Sequence, residues 1–190
     1  MQNAVHRVVV LALPGVVPYE FGIPAKAFGL ARGPDRGRLY EVLHCTVDGG
    51  PVRTSEDFSI AVEHDARVIA GADTLVVAAT QDPIDEPLPG PVAAALARLR
   101  PGARLVSICT ASFVLAAAGL LDGRPATTHW AHSDRFRAQY PRTPLNPDVL
   151  YVDDDDVLTS AGAAAGMDLC LHLIRRDHGS AVANRVARLC

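Results

Sequence analysis

Residues 104–119 read RLVSICTASFVLAAAG and join a buried strand to a buried helix without an intervening loop. The pattern predicts the strand over residues 104–108 and the helix over residues 110–118. Cys109 stands at the junction between them. In open α/β sheets, ligands bind outside the carboxyl ends of the strands, so this junction is the first place to look for a site.

Short apolar strands alternate with helix-like segments on both sides of this junction. A mostly parallel sheet with helices on both faces, an α/β fold of three layers, is therefore predicted. The last strands form a hairpin around an acidic turn, and the last two helices are broken at Gly179. The other strands are predicted over residues 7–13, 40–47, 74–79, 150–152 and 157–159, with a possible edge strand at 58–63, and the other helices over 21–30, 92–99, 131–140, 163–176 and 180–189, with a proline-rich loop over 82–91.

The composition narrows the class of protein. The chain has 190 residues and a net charge of −3, from 18 Lys and Arg against 21 Asp and Glu, so this segment is a poor candidate for holding a DNA backbone. No apolar run reaches the roughly 20 residues that span a bilayer. The first ten residues lack the features of a signal peptide, and the four cysteines are widely spaced, so we expect a cytoplasmic protein with reduced thiols.

Cys109 is the first candidate for chemistry. A thiol at a helix N-terminus can have a strongly lowered pKa, because the helix dipole stabilises the thiolate. We therefore expect Cys109 to be the most reactive of the four thiols. The alternative is a buried structural cysteine, the usual state of a free Cys.

Glu20 and His129 are predicted to lie in the same pocket. Glu20 follows the loop after the first strand, and His129 ends a short extended segment twenty residues after Cys109. A protonated carboxyl group could donate a hydrogen bond to a thiolate, and the imidazole could act as a base or orient the thiol. The alternatives are a solvated carboxylate at a helix start for Glu20 and a hydrogen-bonded core histidine for His129.

Two long runs carry a family resemblance: SICTASFVLAAAGLLDGRPATTHWAH at residues 107–132 and VLTSAGAAAGMDLCLHLIRRDHG at residues 157–179. The chain resembles the ThiJ/PfpI superfamily, and within it the amidotransferase-like N-terminal domain of AraC-type regulators of the AdpA and GlxA groups. The resemblance implies a flavodoxin-like three-layer sandwich. It also implies a reactive-cysteine pocket of Cys109, Glu20 and His129, with the backbone of Thr110 and Ala111 facing an effector.

The same resemblance implies a domain organisation and partners. Residues 1–190 form one domain, and an AraC-type helix-turn-helix region is expected beyond Cys190. The domain is expected to be a homodimer that senses a small effector or a redox signal, with the helices over 163–176 and 180–189 as a plausible interface. DNA is contacted only through the missing region, and no membrane is involved.

Departures from the hydrolytic relatives make catalysis the less favoured alternative. Those relatives carry a Gly-Gly pair whose backbone N–H groups help to form an oxyanion hole, whereas here the loop after the strand over 74–79 reads AATQDP at residues 78–83. Losing such donors removes about 10²–10³ in rate per donor. An isonitrile hydratase or a related cysteine enzyme that uses Cys109 and Glu20 is the remaining catalytic reading.

No cofactor or metal is expected. His129 and His132 have a spacing that could chelate a metal, but no third ligand is near them in sequence. The glycine-containing loops form neither a GxGxxG nor a Walker A motif.

Overall fold

The computed structural model describes residues 5–84 and 87–190. Six strands form the main sheet in the order β2-β1-β5-β6-β8-β7; its pairs are parallel except for the antiparallel pair of β7 and β8. The strands are β1 His6–Leu11, β2 Tyr40–Cys45, β3 Val52–Arg53, β4 Ser59–Ile60, β5 Thr74–Val77, β6 Arg104–Ile108, β7 Tyr151–Asp154 and β8 Val157–Ser160. The helices are α1 Pro18–Leu30, α2 Gly90–Leu96, α3 Ala111–Ala117, α4 Ser133–Gln139, α5 Ala164–His178 and α6 Ser180–Ala187, with 3₁₀ turns at Ala66–Gly71 and Trp130–His132.

Helices cover both faces of this sheet. Alternate residues of a strand point to opposite faces, and in β1 both sets are valine or leucine. Val8 and Val10 pack into the core beneath α1, α5 and α6, whereas Val9 and Leu11 pack into the core beneath α2, α3 and α4. The three-layer α/β sandwich that the sequence predicts is therefore confirmed.

The region between β2 and β5 departs from the prediction. The possible edge strand over 58–63 contributes only β4, which pairs with β3 in a separate two-stranded hairpin instead of extending the main sheet. The short strand β3 and the 3₁₀ turn at Ala66–Gly71 are not predicted. Residues 85 and 86 of the predicted loop, and residues 1–4 of the N-terminal stretch, lie outside the described residues.

The last two helices belong to the core. The apolar side chains Leu169, Leu173 and Ile174 of α5 are fully buried, in the same cluster as buried residues of α1 and the sheet. On α6, Val182 and Val186 are buried against the same cluster. The apolar sides that made these helices a plausible dimer interface are therefore occupied by the chain's own core.

No helix among the described residues is both long enough and apolar enough to cross a membrane.

Candidate functional site

The carboxyl ends of β5 and β6 open into a cavity of about 400 Å³. Because parallel strands end at the same edge of a sheet, the loops that follow β1, β5 and β6 meet there. Cys109, Glu20, His129 and Thr110 all line this cavity. It is also lined by Tyr19, Glu56, Gln81, His132 and Ala163.

Cys109 has a left-handed backbone conformation, with φ 58°. A non-glycine residue held in this region costs on the order of 1–3 kcal/mol, so the surroundings must fix it. The Cys109 N–H donates to the carbonyl of Ser160 at 2.9 Å, which continues the pairing of β6 with β8. The Ser112 hydroxyl lies 3.1 Å from the Cys109 carbonyl and 2.7 Å from the Thr128 hydroxyl, so the elbow is held from two sides.

The environment raises the pKa of the Cys109 thiol to about 12. Burial is the largest cause, since only 5% of the residue is exposed. The charge of Glu20 and its hydrogen bond to the thiol act in the same direction, while the Thr110 N–H opposes them. The expected lowering of the pKa is therefore wrong, because desolvation outweighs the dipole of α3, a helix of only seven residues.

The four cysteines differ in their exposure. Cys45, Cys109 and Cys170 are buried, whereas Cys190 is exposed. Burial raises the pKa of Cys45 to about 12 and raises that of Cys170 as well. Cys190 is therefore the thiol most open to reagents.

Glu20 is buried in the first turn of α1, with 4% of its surface exposed. Its Oε1 accepts a hydrogen bond of 2.6 Å from the N–H of Ala163. The alternative of a solvated carboxylate is therefore wrong. Glu20 joins α1 to the start of α5 and holds its carboxyl group beside Cys109.

His129 is half-buried at the side of the cavity. Its Nδ1 accepts from the N–H of Ala131 at 3.3 Å, so the proton of the neutral ring is on Nε2. A Cβ built on Gly162 would lie 2.5 Å from Cδ2 of His129 and 3.1 Å from Sγ of Cys109. The His129 ring and the Cys109 thiol thus both lie directly against Gly162.

Gly162 is a site residue that sequence reasoning missed. It precedes Ala163, which lines the cavity, has φ 52° and is the N-cap of α5. The only sequence signal is the small-residue run SAGAAAG at residues 160–166, which by itself is also typical of a loosely packed turn.

The loop after β5 is locked to the cysteine elbow by two threonines. The Thr80 N–H donates to Oγ1 of Thr110 at 3.0 Å, and the Thr110 hydroxyl donates to the Thr80 carbonyl at 2.6 Å. The next N–H, of Gln81, donates to the carbonyl of Gly15 at 2.8 Å. Both N–H groups are therefore engaged by the protein itself and are not directed at a bound oxyanion.

Of the two backbone positions predicted to face an effector, only Thr110 lines the cavity. Ala111 is fully buried and belongs to the core cluster on the opposite face of the sheet. The structure therefore does not bring Ala111 to the cavity, because the chain enters α3 directly after Thr110.

Among residues 5–84 and 87–190, no group of three or more His, Cys, Asp or Glu side chains could hold a metal ion. The rings of His129 and His132 lie 5.6 Å apart. Burial lowers the pKa of His132, and the neighbouring His129 and Arg135 lower it further. His132 therefore stays neutral at physiological pH more readily than an isolated histidine would.

Three curated relatives align with much of the chain. An uncharacterized protein in the cpoL 5' region of Streptomyces lividans is 40% identical over 138 residues, covering 72% of this chain and 96% of that protein. The HTH-type transcriptional regulator CdhR of Pseudomonas aeruginosa is 37% identical over 149 residues, covering 78% of this chain and 44% of the regulator. The HTH-type transcriptional regulator GlxA of Rhizobium meliloti is 32% identical over 166 residues, covering 86% of this chain and 50% of the regulator.

A shorter match and a solved structure complete the comparison. The isonitrile hydratase of Pseudomonas putida is 44% identical over 69 residues, which are 36% of this chain and 29% of that enzyme. The crystal structure of an AraC family transcriptional regulator from Pseudomonas putida superposes with a TM-score of 0.79 at 24% identity, over 97% of this chain and 98% of the other, and shows the same fold. The chain spans about half the length of the two HTH-type regulators.

The family model described as DJ-1/PfpI family matches residues 6–176, which include every strand of the sheet and all three residues of the predicted cysteine pocket. The resemblance read from the two sequence runs is thereby confirmed, and the chain belongs to the DJ-1/PfpI family.

Proposed function

We propose that this chain is the sensory domain of an AraC-type transcriptional regulator, which binds a small effector in the cavity at Cys109. DNA would be bound by a helix-turn-helix region outside these 190 residues. The names and lengths of the two HTH-type relatives support this proposal, since this chain covers only about half of each. We further propose that the domain acts as a homodimer in the cytoplasm.

The observation that carries the proposal is that the backbone N–H groups of the loop after β5 are already hydrogen-bonded within the protein. A pKa of about 12 keeps the Cys109 thiol protonated at neutral pH, and a nucleophilic or redox-sensing cysteine acts through its thiolate. The N–H groups of Thr80 and Gln81 are occupied. A pocket with a protonated thiol, and without free N–H groups at Thr80 and Gln81, is suited to binding a ligand rather than to catalysing a reaction or to being oxidised rapidly.

The lining indicates the chemistry of the effector. Glu20 and Glu56 contribute carboxyl groups to the lining, and His129 and His132 contribute imidazole rings; no lysine or arginine of the described chain lines the cavity. Tyr19 adds an aromatic ring at the rim. Acidic groups in a partly desolvated pocket favour a ligand that carries a positive charge or several hydrogen-bond donors.

The effector can be sought by thermal shift. Small ammonium compounds would be compared with their neutral amide counterparts on the purified chain. A compound present at 100 times its Kd should stabilise the fold by about 2.7 kcal/mol and raise the Tm by about 5 °C or more. We expect Glu20→Gln to abolish the shift and Glu63→Gln, an exposed acid outside the cavity, to preserve it.

A cysteine enzyme is the second candidate, favoured by the contact between the buried Glu20 and Cys109 and by the local match to an isonitrile hydratase. Hydration of an isonitrile adds water across its terminal carbon and nitrogen to give a formamide, a step in which a buried acid could supply the proton. We expect turnover of isonitriles and amides to stay below about 1 s⁻¹, the low end of typical enzymes. A higher rate that is lost in Cys109→Ala would replace the sensory proposal with this one.

The dimer is tested separately by analytical ultracentrifugation of the chain at micromolar concentration. A monomer under those conditions would remove the dimer from the proposal without affecting effector binding. Because the apolar sides of α5 and α6 are buried in the core, we expect the interface to use another surface.

A further inference from the structure

Four parallel strands of the main sheet begin with a polar side chain, at the edge of the sheet opposite the cavity at Cys109. Parallel strands share one carboxyl edge, where that cavity opens, and they therefore also share one amino edge. Asp177, in the last turn of α5, lies against the amino edge. The polar first residues are His6 of β1, Tyr40 of β2, Thr74 of β5 and Arg104 of β6, and together with Asp177 they form the amino-edge cluster.

Arg104 and Tyr40 hold Asp177 at this edge. Arg104 donates to both carboxylate oxygens of Asp177, at 2.9 Å and 2.7 Å, and the Tyr40 hydroxyl donates to Oδ2 at 2.7 Å. The side chains of Arg104 and Asp177 are only 13% and 19% exposed, so water screens this ion pair less than a surface pair. The cluster therefore fixes the end of α5, which is followed directly by Gly179 and α6.

His6 takes part in the cluster as a hydrogen-bond acceptor. A guanidinium group only donates, so Nε2 of His6 accepts from Arg104 at 3.0 Å and the proton of the neutral ring is on Nδ1. The Thr74 hydroxyl accepts from Nε of Arg104 at 3.1 Å and lies 2.9 Å from the same Nε2, to which it can donate its own hydrogen. His6 and Thr74 thus orient the guanidinium group that holds Asp177.

This arrangement requires a neutral His6. A proton on Nε2 would remove the acceptor for Arg104 and would place two N–H donors and two positive charges against each other, where 3.0 Å now separates the two nitrogens. The imidazolium and the guanidinium group must then move apart. Arg104 would lose one of the contacts that direct it towards Asp177.

The remaining titratable groups around His6 leave this effect in place. Burial and the charge of Arg104 lower the pKa of His6, and His178 lowers it further, whereas two carboxylates raise it without reversing the direction. The pKa of the Asp177 carboxyl is itself lowered and that of the Tyr40 hydroxyl is raised, so neither group titrates near neutral pH. Among the described residues, the groups that face His6 are Arg104 of β6, Asp177 and His178 of α5, Asp73 before β5, Thr74 of β5 and Tyr40 of β2.

We propose that the amino-edge cluster is a pH-sensitive latch on the end of α5. While His6 is neutral, Arg104 holds Asp177 against the sheet; protonation of His6 makes opening of the last turn of α5 and of its junction with α6 more frequent. The start of α5 is fixed separately, since the Ala163 N–H donates to Glu20. The latch goes beyond the proposed sensory function and does not depend on it.

The direction of the pH effect follows from linkage. Because the folded state lowers the pKa of His6, the stabilisation from its neutral form is complete above the unfolded value of 6.5 and is lost as the pH falls through the folded pKa. Each unit by which the pKa of His6 is lowered makes opening about tenfold more favourable at low pH. Opening should therefore increase on going from pH 7.5 to pH 5.

Hydrogen exchange of the 190-residue chain at these two pH values measures the opening. Protection factors, which correct for the intrinsic effect of pH on exchange, should fall at least about threefold for the amides of residues 175–183 relative to those of β5. His6→Gln keeps a hydrogen-bond acceptor but cannot bind a proton, so this fall should disappear. His172→Gln is the matched control and should keep it, since His172 lies on the same helix but contacts Asp153.

An NMR titration of the unsubstituted chain keeps the test decisive if His6→Gln fails to fold. The His6 ring should carry its proton on Nδ1 at pH 7.5, and the amide of Gly179 should shift with the same midpoint as the ring. A proton on Nε2 at pH 7.5, or a Gly179 amide that does not follow the titration of His6, would overturn the proposal. So would a pH dependence that persists in His6→Gln, or one that is lost in His172→Gln.

Discussion

The alkylation kinetics of Cys109 test the electrostatics of the cavity most directly. Only the thiolate reacts with iodoacetamide. At pH 8, a thiol with the ordinary pKa of 9.0 is about one tenth ionised, whereas a thiol with a pKa of about 12 is about one part in 10⁴ ionised. Cys109 should therefore react about 10³-fold more slowly than an unperturbed thiol, before any further slowing because only 5% of the residue is exposed.

The assay follows the labelling of each cysteine by mass spectrometry of proteolytic peptides, on folded protein, between pH 7 and pH 10. Cys190 should be labelled first, because it is the exposed thiol. The rate at Cys109 should rise about tenfold per pH unit without a plateau in this range, since its pKa lies above it.

The variant Glu20→Gln tests whether Glu20 helps to raise the pKa of Cys109. Glu20→Gln removes a charge that raises the pKa of Cys109, so labelling of Cys109 should accelerate. Glu56 lines the same cavity but is not among the causes of the raised pKa of Cys109, so Glu56→Gln should leave the labelling rate of Cys109 unchanged. A plateau below pH 9, or labelling of Cys109 within tenfold of Cys190 at pH 8, would refute the reasoning.

Three further predictions concern two substitutions and the binding of DNA. Gly162→Ala should lower the free energy of unfolding by about 1–3 kcal/mol and displace the His129 ring, whereas Gly22→Ala, where a Cβ meets nothing within 4 Å, should be neutral or stabilising in the same denaturation assay. Asp177→Asn should cost about 2 kcal/mol at pH 7, because it breaks the partly exposed pair with Arg104. The pKa of Asp177 is lowered in the folded state, so this stabilisation is complete above its unfolded value near 3.8 and is lost as the pH falls through the folded pKa; urea titrations should show the two proteins converging as the pH falls below 3.8. The isolated chain, with its net charge of −3, should not shift duplex DNA at physiological salt, and sub-micromolar binding in a gel shift would contradict this.

Local patterns in the sequence predicted most of the fold. The boundaries predicted for β6 agree with the structure to the residue, because the run over 104–108 is apolar and ends at an abrupt change to a helical pattern. The short hairpin of β3 and β4 was not predicted as such, because each strand has only two residues and too few side chains to show a period.

The site was predicted only as a set of residue types. Topology alone places Cys109 at the carboxyl edge of the sheet, and the same rule brings Glu20 near it. Gly162 lies 53 positions from Cys109 in sequence, and Ala163 lies 143 positions from Glu20, so no local pattern reveals these contacts. They arise where α5 begins after β8 has joined the sheet beside β6.

The sequence by itself determined the order of strands and helices, the two apolar faces of the sheet and the placing of a cysteine at a strand–helix junction. These follow from the steric and hydrophobic preferences of neighbouring residues, which are local. Only the tertiary structure decided the state of that cysteine, because the pKa of a thiol depends on how much water the rest of the chain excludes and on which charges it brings close. At Cys109, burial and Glu20 outweigh the N-terminus of a seven-residue helix, so a junction that predicted a reactive thiolate holds a protonated thiol.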